Sequence, residues 1–520
     1  MGEPVGEASD HPVDDDAAHP SGRPLEGTAV LVGPRPATRY GARLLELLGA
    51  RIEPDDSIDG LACGDAPPVG AGVAARHETA DWAESGAMAL TGEPDGPPLV
   101  APGAPATAAR GAALAIQALT SALTSTRSSA RSSTMPAAST VAVDGGRLLG
   151  EHAAILGLRR RGDVSPGGTC RLIPARDGVL AVNLARPDDA DSVGAWLEVD
   201  VGDDPWAAVV ATCPDRPGTE LSERAQLLGI PVALVPRPDD VADDEQSRVR
   251  HERSPVEPWR ITHRFTGAKP REPGLVVDLS SMWAGPLCSH LLGLAGLRVV
   301  KVESHTRPDG ARRGPAPFYD LLHSGHRSVA FDLADRADLE RLGSLLGSAD
   351  VVVESSRPRA LDQLGLGPDA VLSRSPATVW VSITGYGRGG PWRNRVAFGD
   401  DAAASAGLIA RGKNGRPVFC GDAIADPLTG LHGALAALAM YDGGHGGLVD
   451  VPLHDVVAST LRDSPNRPGE SPAANRSGGV WTVDANGEPT TVHEPLARRA
   501  TGPAAASGAD TDEVLSELVC

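Results

Sequence analysis

The sequence predicts an α/β protein built on a doubly wound parallel sheet, with a smaller α+β domain beside it. Two patterns carry the prediction. From Gly274 onward, valine-rich runs (LVVDL, RVVKVE, HRSVAFDL, ADVVVE, TVWVSIT) alternate with stretches whose leucines recur at helical spacing, such as CSHLLGLAG and ADLERLGSLLGSA. Strands separated by helices pack as a parallel sheet covered on both faces, and their apolar runs are nearly continuous. Between residues 140 and 240 the texture changes. There SPGGTCRLIPARDGVLAVNLARPDD interleaves short apolar runs with Gly, Pro and Asp turns, which predicts antiparallel strands in a small mixed domain.

Taken in order, residues 1–25 are acidic, lack the hydrophobic segment of a signal peptide and are expected to be a disordered tail. Residues 28–52 read as a buried strand, a Gly-Pro turn and a helix with Leu44, Leu45, Leu47 and Leu48 on its apolar face. The signal from Asp55 to Pro97 is weak. An Ala-rich helix is expected over Ala106–Leu123, followed by a surface loop at TSTRSSARSST. The small domain, 138–240, closes with a helix through Leu228 and the strand IPVALV, and a charged linker is placed at 241–270. The large domain, 271–465, opens with the strand around Val277, a Gly285-Pro286 turn and a helix, and 466–520 forms a terminal segment. No GxGxxG follows that first strand, so the usual dinucleotide fingerprint is absent.

One repeat is visible. Leu44–Ile52 (LLELLGARI) matches Leu291–Val299 (LLGLAGLRV) at a constant offset of 247, and Val30 falls against Val277. The Ala-rich helix after Pro98-Leu99-Val100 likewise resembles the one after Pro417-Val418-Phe419, which sets Thr107 opposite Asp426. Residues 26–135 are therefore expected to be a partial, degenerate copy of the large domain.

Composition narrows the function. A net charge of −20 without basic-aromatic interleaving excludes a nucleic-acid binder. Six cysteines without metal-ligand spacing point to a reducing, cytoplasmic setting and no metal site. No apolar run approaches the ~18 residues of a spanning helix, so no membrane partner is expected.

Within Pro417–Asp442 a short apolar run leads through a Gly-Asp turn to Asp426-Pro427 and then a long helical pattern. Asp426 is expected to cap that helix with Pro427 as its first residue, where unpaired N–H groups and the helix dipole would keep the carboxylate ionised. A carboxylate so held is a candidate nucleophile; the ordinary reading of Asp-Pro at this place is a structural cap.

The ordered set VVDLSSMWAGPLCSHLLGLAGLRVVKVE (276–303), SGHRSVAFDL (324–333), ADVVVESSRPRALDQLGLG (349–367), VSITGYGRGGPW (381–392) and AIADPLTGLHGALAAL (423–438) resembles the class III (family III, CaiB/BaiF-type) CoA-transferases. That group also contains α-methylacyl-CoA racemases. The resemblance implies a Rossmann-like large domain. SPGGTCRLIPARDGVLAVNL (165–184) resembles the family's small domain, which normally follows the large one and here precedes it.

The resemblance implies that Asp426 is the nucleophile, with CoA and acyl-CoA as substrates, a carboxylic acid as second substrate and no permanently bound cofactor. It implies CoA contacts from Ser280, Trp283 and Ala284 after the first strand, from Glu354, Ser355 and Arg357 after the third, and a phosphate-pairing role for Arg327 and Arg357. Trp283 stands where some transferases have a catalytic glutamine, Ser355-Ser356 replaces an Asn-Phe pair, and Gln363 replaces an arginine. Asp400 and Asp401 occupy the place of the racemases' His-Asp pair, but no histidine precedes Asp400, and His432 is expected to pack. A racemase-like isomerase and a CoA-binding member without catalysis are the alternatives. Family members are usually two interlocked chains. This chain is expected to be a homodimer or a single-chain pseudo-dimer, in which the first half's small domain covers the second half's active site.

Overall fold

The computed structural model describes residues 23–518 apart from 65, 70–76, 130–138, 238–255, 269–270, 272, 463–471 and 473. Most of the expected acidic tail and the first part of the expected linker lie outside the described residues.

The first half opens with β1 (Ala29–Val32), the helix Pro36–Leu47 and β2 (Arg51–Pro54), which pairs parallel to β1; β3 (Leu61–Cys63) pairs antiparallel on its other side. The Ala-rich helix runs Pro105–Ser129, further than its composition predicted. In that extension the hydroxyls of Thr124 and Ser125 donate to the carbonyls of Thr120 and Ser121 at 2.8 and 3.0 Å, so they bond back into the helix. The small domain is the predicted antiparallel sheet, with β4 (Cys170–Ala175), β5 (Gly178–Asn183) and β6 (Val232–Val235) in sequential order. Its core is built on Trp196, Leu180 and Leu221.

The large sheet has seven strands: β7 (Arg260–Thr266), β8 (Leu275–Asp278), β9 (Arg298–Ser304), β10 (Arg327–Phe331), β11 (Val351–Glu354), β12 (Val379–Thr384) and β15 (His445–Pro452). A separate antiparallel pair, β13 (Ile409–Arg411) and β14 (Pro417–Phe419), precedes β15. Spatial order in the large sheet is β10-β9-β8-β11-β12-β15-β7, parallel throughout except for the antiparallel β15–β7 pair. β7 falls inside the region expected to be linker. Its sequence RITHRFT lacks the continuous apolar run of an inner strand, as befits an edge. β8, β11 and β12 are buried along their whole length, as the valine runs require.

Helices Ala284–Leu294 and Ala425–Asp442 cover one face of this sheet; Leu342, Leu345 and Leu346 of the helix Arg336–Ser348 pack on the other. With few aromatics available, the interior closes by backbone approach. A Cβ on Gly430 would stand 2.7 Å from the Ala284 carbonyl oxygen, so the first two helices touch almost main chain to main chain. Gly285 and Pro286 belong to the first turn of the Ala284 helix and make no separate turn, because a proline there loses no helical hydrogen bond. The terminal segment forms three short antiparallel strands between Asn475 and Thr491 and the helix Thr511–Glu517.

The two strand–helix–strand openings share their parallel pairing. They differ by one residue in register, with Val30 beside Ile52 but Val277 beside Val300, and they diverge at the next neighbour, antiparallel β3 against parallel β11. The first half packs on the back of the Ala425 helix. Tyr40 Oη lies 3.1 Å from Nε2 of His432, whose Nδ1 is 2.7 Å from the Leu428 carbonyl. His432 is fully buried and burial pushes its imidazole down to about 4, so it is a neutral packing group. No helix among the described residues is long and apolar enough to cross a membrane.

Candidate active site

The chain moves outward from β8 to β9 and β10, then returns to β11 on the other side of β8, which makes the β8–β11 boundary a topological switch point. In open α/β sheets the crevice outside the carboxyl ends at such a point takes ligands. The Ala425 helix leads through a two-glycine turn into parallel β15, so it runs against the strands and its N-terminus lies at that same edge.

The helix starts two residues earlier than expected. Ile424 is its N-cap and Asp426 its second residue, and no side chain caps the end. The Asp426 N–H donates to the Ala423 carbonyl at 2.9 Å, across a turn in which Ala423 has a φ of 45°. Gly399 faces the carboxylate: a Cβ there would overlap Oδ2 of Asp426 and come within 2.6 Å of the Ala423 carbonyl oxygen, so only glycine fits.

Three further carboxylates surround it. Asp400 accepts from the Ala423 N–H at 2.8 Å and from the Ser165 hydroxyl. Asp401 accepts from Asn183 Nδ2 at 2.9 Å and from the Phe398 N–H at 3.0 Å. Asp422 Oδ2 lies 2.7 Å from His152 Nδ1. Asp400, Asp401 and Asp422 are buried, while Asp426 is partly accessible. Ser165 and Asn183 come from the segment that resembles the family's small domain, so that segment lies beside Asp426 within one chain.

This crowding overturns the expectation of an ionised Asp426. Burial first, then the like charges of Asp400 and Asp401, push its carboxyl up to about 8, against the opposing pull of His152. The helix dipole amounts to roughly half a charge and loses to these. Burial likewise pushes Asp400 and Asp401 up to about 7. On His152 burial acts downward, but the bond and charge of Asp422, with Asp426 and Asp400, outweigh it and raise the imidazole.

A pH dependence follows. An acid with a folded pKa above its unfolded value binds more protons when folded, so it withdraws stability as pH rises between roughly 4 and 8, by at most about 1.4 kcal/mol per pH unit. Asp426→Asn is therefore expected to gain stability relative to wild type as pH is raised through that window. Urea midpoints of both proteins near pH 5 and pH 8 measure it, and a difference independent of pH would mean that Asp426 is charged throughout.

The loop after β8 is held from beneath. Ser280 is buried and donates from its N–H and Oγ to Asp278; the Lys301 ammonium donates to the Ser280 carbonyl; Asp309 Oδ1 accepts from the Met282 N–H at 3.0 Å. Met282 takes a φ of 73°, strained for a side chain and fixed by that bond. The Ser281 N–H donates to Ser355 Oγ at 3.1 Å, tying the two loops across the switch point. Trp283 is buried ahead of Ala284, its ring centroid 5.4 Å from His152 and 5.6 Å from Phe318. Glu354 is fully buried and engaged by Ser382 Oγ at 2.6 Å, Arg388 Nη1 at 2.9 Å and Ser356 Oγ at 2.7 Å, which makes it a strut of the sheet edge. Arg357 rests against Gly229 of the small domain. Burial and the charges of Arg186, Arg359 and Arg307 hold its guanidinium below the usual range.

Ser280, Trp283, Ala284, Glu354, Ser355 and Arg357 thus gather at the carboxyl edge with Asp426. Arg327 does not. It begins β10 at the opposite end of the sheet and makes a two-pronged bond to Glu517 at 2.6 and 2.8 Å. Sequence reasoning missed Asp422, His152 and Lys301. Lys301 left a signal, a cation inside the apolar run RVVKVE; His152 left none, since nothing local marks a histidine on a short helix as a neighbour of Asp422. Among the described residues no group of three or more His, Cys, Asp or Glu is arranged to hold a metal ion.

Residues 274–486 match the model of CoA-transferase family III. Over 207 residues the chain is 33% identical to an acyl-CoA transferase of Fusarium pseudograminearum, covering 36% of this chain and 45% of that protein. It is 33% identical over 198 residues to the succinyl-CoA:glutarate CoA-transferase of Homo sapiens, with coverage of 36% and 45%. To a probable fatty acyl-CoA transferase of Mycobacterium tuberculosis it is 32% identical over 241 residues, with coverage of 41% and 60%. A solved CAIB/BAIF family protein from Brucella suis is 25% identical, with a TM-score of 0.38 over 41% of this chain and 65% of that one. The chain spans about half the length of the curated relatives it matches. The likeness to CoA-transferase family III thus runs over residues 274–486, the part of the chain that holds the switch-point loops and the Asp426 helix.

Proposed function

We propose that the protein moves CoA between carboxylic acids through a thioester formed on Asp426. The observation that carries this reading is the Asp426 carboxyl group, partly accessible at the carboxyl edge of the family-matched sheet and faced by a glycine that leaves its Oδ2 free of side chain. The Asp426 carboxylate attacks the thioester carbonyl: a C–O bond forms, the C–S bond breaks, and CoA leaves as thiolate from a mixed anhydride. The thiolate then attacks the Asp426 side of that anhydride, which releases the first acid and leaves an aspartyl-CoA thioester. The acceptor acid takes CoA by the same steps in reverse. Splitting the exchange in this way conserves the thioester's energy. Backbone N–H groups of the Ala425 helix's first turn are suited to the anhydride oxygens.

CoA is assigned to the crevice between the loops Ser280–Ala284 and Ser355–Arg357, with Arg357 as the group suited to its phosphates. Arg327, bonded to Glu517 at the far end of the sheet, has no part in this reading. The contacts of Ser165 and Asn183 support one centre completed within a single chain, a pseudo-dimer in which the first half is structural. There the Thr107 hydroxyl donates to Asp81 at 2.6 Å, and Asp81 is itself paired to buried Arg110, a closed cluster without a free carboxylate.

Incubation with a panel of acyl-CoAs and acids, followed by mass measurement of the intact chain and its peptides, tests the reading. The expected result is a CoA adduct on the peptide holding Asp426, discharged by a carboxylic acid. α-Proton exchange into deuterated water without an adduct would favour the racemase-like isomerase, and binding without either would leave a CoA-binding protein.

A further inference from the structure

We infer that Gln226, from the small domain, is a positioning residue for the Asp426 centre: its amide takes the place of a strand partner to Val396 and so fixes where Gly399, three residues on, meets the nucleophile. This rests on the transfer reading above. Gln226 lies outside the family-matched residues 274–486 and outside the stretch 165–184 that resembles the family's small domain.

Residues 395–398 belong to no strand and lead straight into the helix Gly399–Ser405. The backbone groups of such a partly buried stretch need partners from elsewhere. Gln226 supplies both for Val396. Its Oε1 accepts from the Val396 N–H at 2.8 Å, and its Nε2 donates to the Val396 carbonyl at 3.0 Å. Nε2 also donates to the Val232 carbonyl of β6 at 3.1 Å, which holds the amide from behind. Two carbonyls need a donor here and one N–H needs an acceptor, so an amide satisfies all three and a carboxylate does not. Gln226 is buried, and one turn earlier on its helix, Gly218–Leu228, Glu223 pairs with Arg395, so two positions of the helix grip two consecutive residues.

The held stretch reaches Asp426 by short steps. The Phe398 N–H donates to Asp401 Oδ1 at 3.0 Å, the same oxygen that takes the bond from Asn183 of β5 at 2.9 Å. Gly399 comes next, and a Cβ on it would overlap Asp426 Oδ2. Asp400 accepts from the Ala423 N–H at 2.8 Å, and the Ala423 carbonyl accepts from the Asp426 N–H at 2.9 Å. A shift of the Val396–Phe398 backbone is therefore passed on to the space in front of the carboxyl group and to the turn behind it, because packing this close does not absorb it. The side-chain bonds of Gln226 go to Val232 and Val396 and not to the loops assigned to CoA.

The test compares Gln226→Met, which keeps the length and makes none of the three bonds, with Gln226→Glu and Ser222→Ala. Ser222 is the control. It lies on the same helix and its Oγ donates to the same Val232 carbonyl at 3.2 Å, so its loss loosens the small domain without breaking a bond to Val396. Single-turnover adduct formation with acyl-CoA is followed per folded molecule against acyl-CoA concentration, with urea unfolding of each protein. Gln226→Met is expected to lose roughly 10-fold or more in maximal rate, with the half-saturating acyl-CoA concentration within about twofold of wild type, because orientation is lost while the CoA contacts are kept. Ser222→Ala is expected to keep the wild-type rate. In Gln226→Glu a carboxylate repels both carbonyls, whereas the protonated acid donates to one and accepts from the Val396 N–H. Its rate relative to that of Gln226→Met should therefore rise as pH falls from about 8 to about 5. A wild-type maximal rate in Gln226→Met, a loss confined to half-saturation, an equal loss in Ser222→Ala, or a ratio indifferent to pH overturns the proposal. A second readout needs no turnover. The carbon-13 signal of the Asp426 carboxyl group, identified by its disappearance in Asp426→Asn, should move in Gln226→Met and stay in Ser222→Ala. An unmoved signal overturns the proposal, whereas a wild type that forms no adduct overturns the transfer reading instead.

Discussion

Asp426→Asn is expected to abolish CoA transfer, with a loss on the order of 10⁴-fold or more, in a protein that is still folded. The amide is isosteric with the carboxyl group, so the tight fit against Gly399 is kept. It has no anionic oxygen, and without one neither the anhydride nor the aspartyl-CoA thioester forms. Structure gives little reason for instability. Asp426 does not cap its helix, and replacing a carboxyl group that burial and two like charges keep from ionising removes an unfavourable charge above neutral pH. Transfer assays and thermal unfolding measured together decide the matter. A folded variant that retains a tenth or more of wild-type transfer would end the assignment of Asp426 as nucleophile.

Lys301→Met is expected to destabilise the fold by about 3–5 kcal/mol. The side chain is 2% exposed, and its ammonium group lies 3.1 Å from Asp309 Oδ2 and 3.7 Å from Asp278 Oδ2. Burial works against its charge, but Asp278, Asp309 and Glu303 together outweigh burial and hold Lys301 above its ordinary value. Asp278, the more distant partner, stays above the usual carboxylate range because Lys301 only partly offsets its complete burial. Methionine keeps the length and removes the charge, which leaves two buried carboxylates without a cation and the Ser280 carbonyl without a donor. The loop assigned to CoA rests on that carbonyl, so KM for acyl-CoA should rise as well. Urea unfolding measures the stability, and Lys301→Met with Asp278→Asn should recover part of it because the pair shares one charge network. A cost below about 1 kcal/mol would show that the cluster is not an ion pair in the folded protein.

How far the chain could be read from its residues is shown by neighbouring examples. The parallel sheet was legible because Leu275–Asp278, Val351–Glu354 and Val379–Thr384 are buried on both faces, and burial on both faces demands the continuous apolar runs that the sequence displays. Edge strand β7 was not, because only part of it must be apolar and its residues read as linker. Ser280, Trp283, Ala284, Ser355 and Arg357 were named through the family resemblance, and they lie together because each follows the carboxyl end of one of two adjacent parallel strands. Arg327 resembled them in type, but it begins its strand instead of ending it, and in a parallel sheet that places it a full strand length from the crevice.

The sequence by itself determined the alternation of strands and helices from Gly274 onward, the resemblance of the motifs between 276 and 438 to the class III CoA-transferases and Asp426 as the residue to test, since these rest on local periodicity and on an ordered set of motifs. Only the tertiary structure decided which groups surround Asp426 and whether it carries a charge. His152, Asp400 and Asp422 reach it from three different parts of the chain, and the proton on a carboxyl group answers to desolvation and to charges a few ångströms away, whatever their separation along the sequence.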